Sequence, residues 1–104
     1  MKIEVTDIAR TFGRQTRAYA EYRIFSSLAR FSNVVQKAAV SLTPATRGHT
    51  VRCSVVVGFE MGRTVRVTAR GRHAYDAINR VADRIGPALR RHTQDRIAIL
   101  TRGG

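Results

Sequence analysis

Arg80, Arg84 and Arg91 follow one another at intervals of four and seven residues, a spacing that gathers side chains on one face of a helix. Upstream, Arg17, Arg23 and Arg30 lie in a segment without Pro or Gly and project away from its apolar stripe. Arg52, Arg66 and Arg70 occupy the outward positions of two alternating runs. The chemistry these residues offer is anion recognition. A guanidinium presents a planar fork of donors that matches phosphate oxygens in pairs, and it stacks on bases. Asp76 stands four residues before Arg80 and suits a local ion pair. Such pairing cannot neutralise the chain, because 19 Lys and Arg face 7 Asp and Glu, a net charge of +12. A compact domain so charged repels itself unless a polyanion meets it, and nucleic acid is the commonest one.

Other reactive residues offer less. His49, His73 and His92 fall at a strand start, a helix start and a helix end, without the pairing an acid–base nuclease needs. There is no HExxH, no paired cysteine and no acidic cluster, so no metal, cofactor, small-molecule substrate or enzymatic activity is expected. Cys53 has inward parity and reads as a small buried hydrophobe. Tyr19 and Tyr75 are the candidate platforms for stacked bases, whereas Tyr22 and Phe25 lie on a third side of the first helix. That pair points to a protein contact or a homodimer through this helix.

Elements of alternating and helical period must position these residues. Lys2–Thr6 alternates and reads as a strand; Arg14–Phe31 has helical spacing, with Ala20, Ile24, Leu28 and Phe31 in one stripe. Val34–Leu42, His49–Val57 and Arg63–Arg70 return to a period of two, with Val34, Ala38, Val40 and Leu42 sharing a face in the first of these. Pro44 and Gly48 bracket a turn, and Gly58–Gly62 supplies a hairpin connection. From Ala74, the residues Ala77, Ile78, Val81, Ile85 and Leu89 mark a second amphipathic helix, which Gly86-Pro87 should kink or break. The order β-α-β-β-β-α predicts an α+β domain with a four-stranded mixed sheet and two helices on one face. The domain should span residues 1–93, with 94–104 a loosely attached tail. At 104 residues the chain suits a single core. The N-terminus lacks an apolar signal, and the longest apolar run is Val55–Val57, so a cytoplasmic protein without a membrane span is expected.

Two segments carry a family resemblance. Tyr19-Ala20-Glu21-Tyr22-Arg23-Ile24 with Phe31, and Tyr75, Ala77, Ile78, Asp83-Arg84, Ile85, Leu89 and Arg91-His92, resemble in order and spacing the two helices of the ribosome hibernation-promoting factor family, which includes ribosome-associated inhibitor A. The resemblance covers residues 1–93 and is to the short forms, which lack a C-terminal dimerisation domain. It implies a shape similar to double-stranded RNA-binding domains. It further implies binding to the small ribosomal subunit through ribosomal RNA, with occlusion of the messenger and transfer RNA channel in stressed or idle cells. Arg17, Arg23, Arg84 and Arg91 take the positions of basic residues that face ribosomal RNA in the family; Arg30, Arg66, Arg70 and Arg80 complete the expected RNA-binding set. Asn79 and His73 stand where the family has Asp, and Gly86-Pro87 replaces a charged pair. Two alternatives remain open: an interaction module built on Tyr22 and Phe25, and a divergent member that binds another structured RNA.

Overall fold

The backbone is described, in a computed structural model, for residues 1–7, 10–44 and 50–103, with side chains at 61 and 93–104 left out. Strand β1 (Lys2–Asp7) leads to helix α1 (Gly13–Leu28), which closes in a turn of 3-10 helix at Ala29–Phe31. Strands β2 (Val35–Pro44), β3 (Val51–Phe59) and β4 (Thr64–Gly71) follow, then helix α2 (Ala74–Gly103). The sheet order is β1-β2-β3-β4. β1 pairs parallel to β2, with Ile3 opposite Ala38 and Val5 opposite Val40, and the remaining pairs are antiparallel. The expected α+β architecture is therefore present.

Alternation explains the sheet. Val51, Cys53, Val55 and Val57 are buried on β3, while Arg52 is exposed. Ala20, Ile24 and Leu28 of α1 and Ile78, Val81, Ile85 and Leu89 of α2 join these residues in one core cluster. Both helices thus cover the same face, and the opposite face is open.

Three sequence expectations need correction. On β2 the buried residue is Val35 and not Val34, because the register shifts between Val35 and Lys37. A bulge inserts one residue and restores inward parity at Ala38, Val40 and Leu42. The first helix ends at Leu28, three residues before Phe31. The break at Gly86-Pro87 does not occur, since α2 runs through Pro87. Ile85 and Leu89 are buried on either side of it, and Pro87 and Asp83 are both exposed. The carbonyl of Asp83, deprived of its amide partner, is therefore on the wet side of the helix, where water substitutes. The expected turn at Pro44–Gly48 and the start of the third strand at His49 fall largely on residues 45–49, outside the described residues; β3 is described from Val51 and Pro44 belongs to β2. The expected tail at 94–104 has a helical backbone to Gly103, and its side chains are outside the described residues.

At the end of β4 the chain passes directly under the first turn of α2. A Cβ on Gly71 would lie 2.4 Å from the Ala77 amide nitrogen and 2.9 Å from its Cα. Both obstacles are backbone, so nothing can swing aside. Cys53 is fully buried, and loss of solvation pushes its thiol up to about 12 from an ordinary 9.0. Stability from this neutral thiol is complete below 9.0 and declines as pH rises toward 12.

Gly71→Ala is expected to destabilise the fold by about 1–3 kcal/mol in urea unfolding. Cys53 should resist a thiol reagent at neutral pH in the native protein and react at once after denaturation.

Candidate nucleic-acid interface

The strands β1 and β4 terminate at the same end of the sheet, where Asp7 is level with Leu42 and Gly71 with Val51. Each helix starts there, so α1 and α2 lie side by side and run in the same direction. Along this seam the Tyr19 ring meets Tyr75 edge-on, with centroids 4.7 Å apart. The Tyr19 hydroxyl donates to Asn79 Oδ1 at 2.5 Å, and Arg23 Nε donates to the same oxygen at 2.9 Å. Arg23 Nη2 lies 3.6 Å from Asp83 Oδ1. Tyr19 and Arg23 are consequently brackets between the helices. Tyr19 is not a solvent-facing platform, and Arg23 does not project away as its spacing suggested. Further along, Arg30 lies in a cleft with Ser26, Ser27, Gly86, Pro87 and Arg90. Sequence reasoning missed Asn79 as a hub and Arg90 as a cleft residue. The signal was present in the intervals Asn79, Asp83, Gly86 and Arg90, which form one helical stripe.

The other flank of α2 gathers the remaining expected arginines. Arg84 Nη1 donates to the Thr68 carbonyl at 2.9 Å, so the helix reaches over the outer edge of β4. Arg80 shares this face and pairs with Asp76 through Nε at 3.2 Å, and Arg91 is exposed on it. On the open sheet face Arg70 is level with Arg52, and Arg66 with Val56. Arg66, Arg70, Arg80, Arg84 and Arg91 therefore surround the β4 edge, with Arg52 beside them. Arg17 is exposed elsewhere, on the first half of α1 near Arg14 and Glu21. Among the described residues the ion pairs are Lys2–Glu4, Arg23–Asp83 and Arg80–Asp76. None involves Arg17, Arg30, Arg66, Arg70, Arg84 or Arg91.

Two further features shape this surface. Register places Thr6, Ser41, Ser54 and Thr68 in one row across the open face, and the Ser54 and Thr68 hydroxyls are 2.9 Å apart. A row of neutral donors and acceptors thus lies between arginines. At the start of α2 the Asp76 amide donates to His73 Nδ1 at 3.2 Å, and Asp76 Oδ2 accepts from the Arg72 amide at 2.9 Å. This reciprocal cap satisfies two amides at the helix start. The Arg72 amide first, then Arg80, hold the Asp76 carboxyl below its usual range.

An open sheet, two helices on one face and an arginine-lined edge define a small basic α+β domain. Residues 3–97 match the family described as sigma 54 modulation protein / S30EA ribosomal protein, and the chain belongs to that family. The fold is similar to that of a ribosomal subunit interface protein from Coxiella burnetii, with a TM-score of 0.74 at 13% identity over 90% of this chain and 99% of the other. It is also similar to the N-terminal domain of Protein Y from Thermus thermophilus, with a TM-score of 0.58 at 26% identity over 88% of this chain and 94% of the other. A search of curated proteins finds no match. The family placed by the helix segments at Tyr19–Phe31 and Tyr75–His92 is thus the family found.

Asn79→Ala strands the Tyr19 hydroxyl and Arg23 Nε and should cost about 1–3 kcal/mol in thermal or urea unfolding. Asn79→Asp keeps the acceptor and should retain most of that stability.

Proposed function

We propose that this protein is a non-enzymatic, ribosome-associated hibernation factor of the cytoplasm. It seats its basic flank on ribosomal RNA of the small subunit and occludes the channel of messenger and transfer RNA. The observation that carries this reading is the collection of Arg66, Arg70, Arg84 and Arg91 around one sheet edge without a carboxylate among their described partners. Membership of a family described in part as a ribosomal protein supports the ribosome as the partner, and a fold relative is a ribosomal subunit interface protein. None of the described helices is long and apolar enough to cross a membrane.

The mechanism needs no bond to be made or broken. A rigid body that fills a channel inhibits by exclusion, and its residence depends on how many phosphates it neutralises. Arginine suits this because its charge does not titrate in the accessible range and its fork grips two oxygens at once. Phosphates on a folded RNA also lie at fixed positions, so a rigid array of guanidiniums recognises shape as well as charge. The seam arginine Arg23 contributes differently, since its guanidinium already holds Asn79 and Asp83. Its removal should act through the stability of the helix pair.

Co-sedimentation with purified small subunits across a salt series tests the proposal. Binding should weaken steeply as salt rises, and each lost phosphate contact should lower the log–log slope by about 0.7–0.9. Arg84→Ala should reduce the slope by about one such step, and an Arg66/Arg84/Arg91 triple alanine variant by two to three. Unchanged binding in high salt and in the triple variant would overturn the mechanism.

A further inference from the structure

The two edges of the sheet are treated differently. At β4 the Arg84 side chain takes up the Thr68 carbonyl, and arginines crowd the rim. At β1 no described segment pairs with the outer side of the strand. An unpaired strand edge is a template for another strand, and proteins normally blunt it. Directly above this edge α1 exposes two aromatic rings, Tyr22 at 67% and Phe25 at 52%. With Met1, Ile3, Ala18 and Glu21 they line a shallow apolar hollow between helix and edge. Ala18, Glu21, Tyr22 and Phe25 share the side of α1 turned away from α2, so the helix pair does not use them.

We infer that this edge and its aromatic rim form a self-complementary dimer interface, occupied by a second copy of the chain. The charges on β1 select the arrangement. Lys2 and Glu4 are exposed neighbours on the open face, 3.1 Å apart. Antiparallel pairing of β1 with its symmetry mate about Ile3 sets Lys2 opposite the mate's Glu4 and Glu4 opposite the mate's Lys2. A two-fold axis makes both contacts identical, and opposite charges facing across antiparallel strands favour the pairing. A register centred on Glu4 would instead face two carboxylates and is disfavoured. The axis is perpendicular to the sheet, so both pairs of helices stay on one face. The two α1 helices then run antiparallel across the joint, bringing Tyr22 and Phe25 of each copy into a shared apolar strip.

Repulsion between two chains of net charge +12 is met by geometry. The β4 flank is at the far side of each sheet, so joining at β1 leaves the arginine edges at opposite ends of an eight-stranded sheet. Near the joint Glu4 and Glu21 offset part of the positive charge of Lys2, Arg14 and Arg17. Exposed aromatics beside an open strand are thus accounted for by one partner. The RNA-binding flank remains accessible in both copies.

Sedimentation of the purified full chain, free of nucleic acid, tests this inference. A species of twice the monomer mass is expected, dissociating on dilution. Phe25→Asp should weaken it by at least about tenfold, the equivalent of 1.4 kcal/mol. Glu4→Lys should dissociate it by facing Lys2 with a second cation, and the double variant Lys2→Glu/Glu4→Lys should restore it. Circular dichroism of each variant establishes that the monomer stays folded. A chain that remains monomeric at every concentration, or a dimer indifferent to Phe25→Asp and to the charge reversal, would overturn the assignment. Small-subunit binding by Phe25→Asp is a separate readout of the β4 flank, so loss of one property does not imply loss of the other.

Discussion

Ile24 and Leu28 from one helix and Ile78, Ile85 and Leu89 from the other press on the inward residues of β2, β3 and β4 in a single contact layer. Everything else in the domain follows from that layer being one-sided. A sheet covered on only one face sends its alternate residues into water along every strand. Charges cannot enter the layer without a large desolvation cost, so the arginines of the strands are confined to the open face. Those of α2 are confined to its flanks. The basic edge is where these two exclusions meet, because α2 lies along β4 and Arg84 reaches its rim.

The same layer decides which parts of the structure were legible in the sequence. Val51, Cys53, Val55 and Val57 alternate without interruption, and their strand and facing followed directly. The bulge between Val35 and Lys37 leaves no mark in residue type, since valine fits either parity and only the partner strand fixes the register. Pro87 misled for a different reason. The local rule about a missing amide does not contain the packing of Ile85 and Leu89, which holds the helix on both sides of the proline. Of the expected RNA-binding arginines, Arg66, Arg70, Arg80, Arg84 and Arg91 share one edge. Arg23 does not join them, because its place opposite Asn79 depends on how two helices align, a relation no single segment contains. The β4 edge as a whole was equally hidden, since it joins residues from a strand and a later helix.

Two populations of arginine therefore coexist in one small domain. Arg23, held by Asn79 and Asp83, works as a structural cross-brace between helices whose facing surfaces are polar. Tyr19 and Tyr75 provide the apolar part of that contact, and Asn79 joins its two halves by accepting from both Tyr19 and Arg23. On the β4 flank Arg80 pairs with Asp76 and Arg84 donates to the Thr68 carbonyl, while Arg66, Arg70 and Arg91 are exposed to solvent. A total charge cannot distinguish the two, whereas hydrogen-bond partners can. The division also separates effects on folding from effects on binding, because the cross-brace and the flank share few contacts.

The common end of the sheet at which the two helices start has one more consequence. Peptide dipoles in α1 and α2 point the same way, so their fields add at that end, and Arg10, Arg52, Arg70 and Arg72 stand near it. The helix starts thus add a local positive potential there to the overall charge. Such a potential acts on a polyanion at short range, within the Debye length of about 8–10 Å at physiological salt.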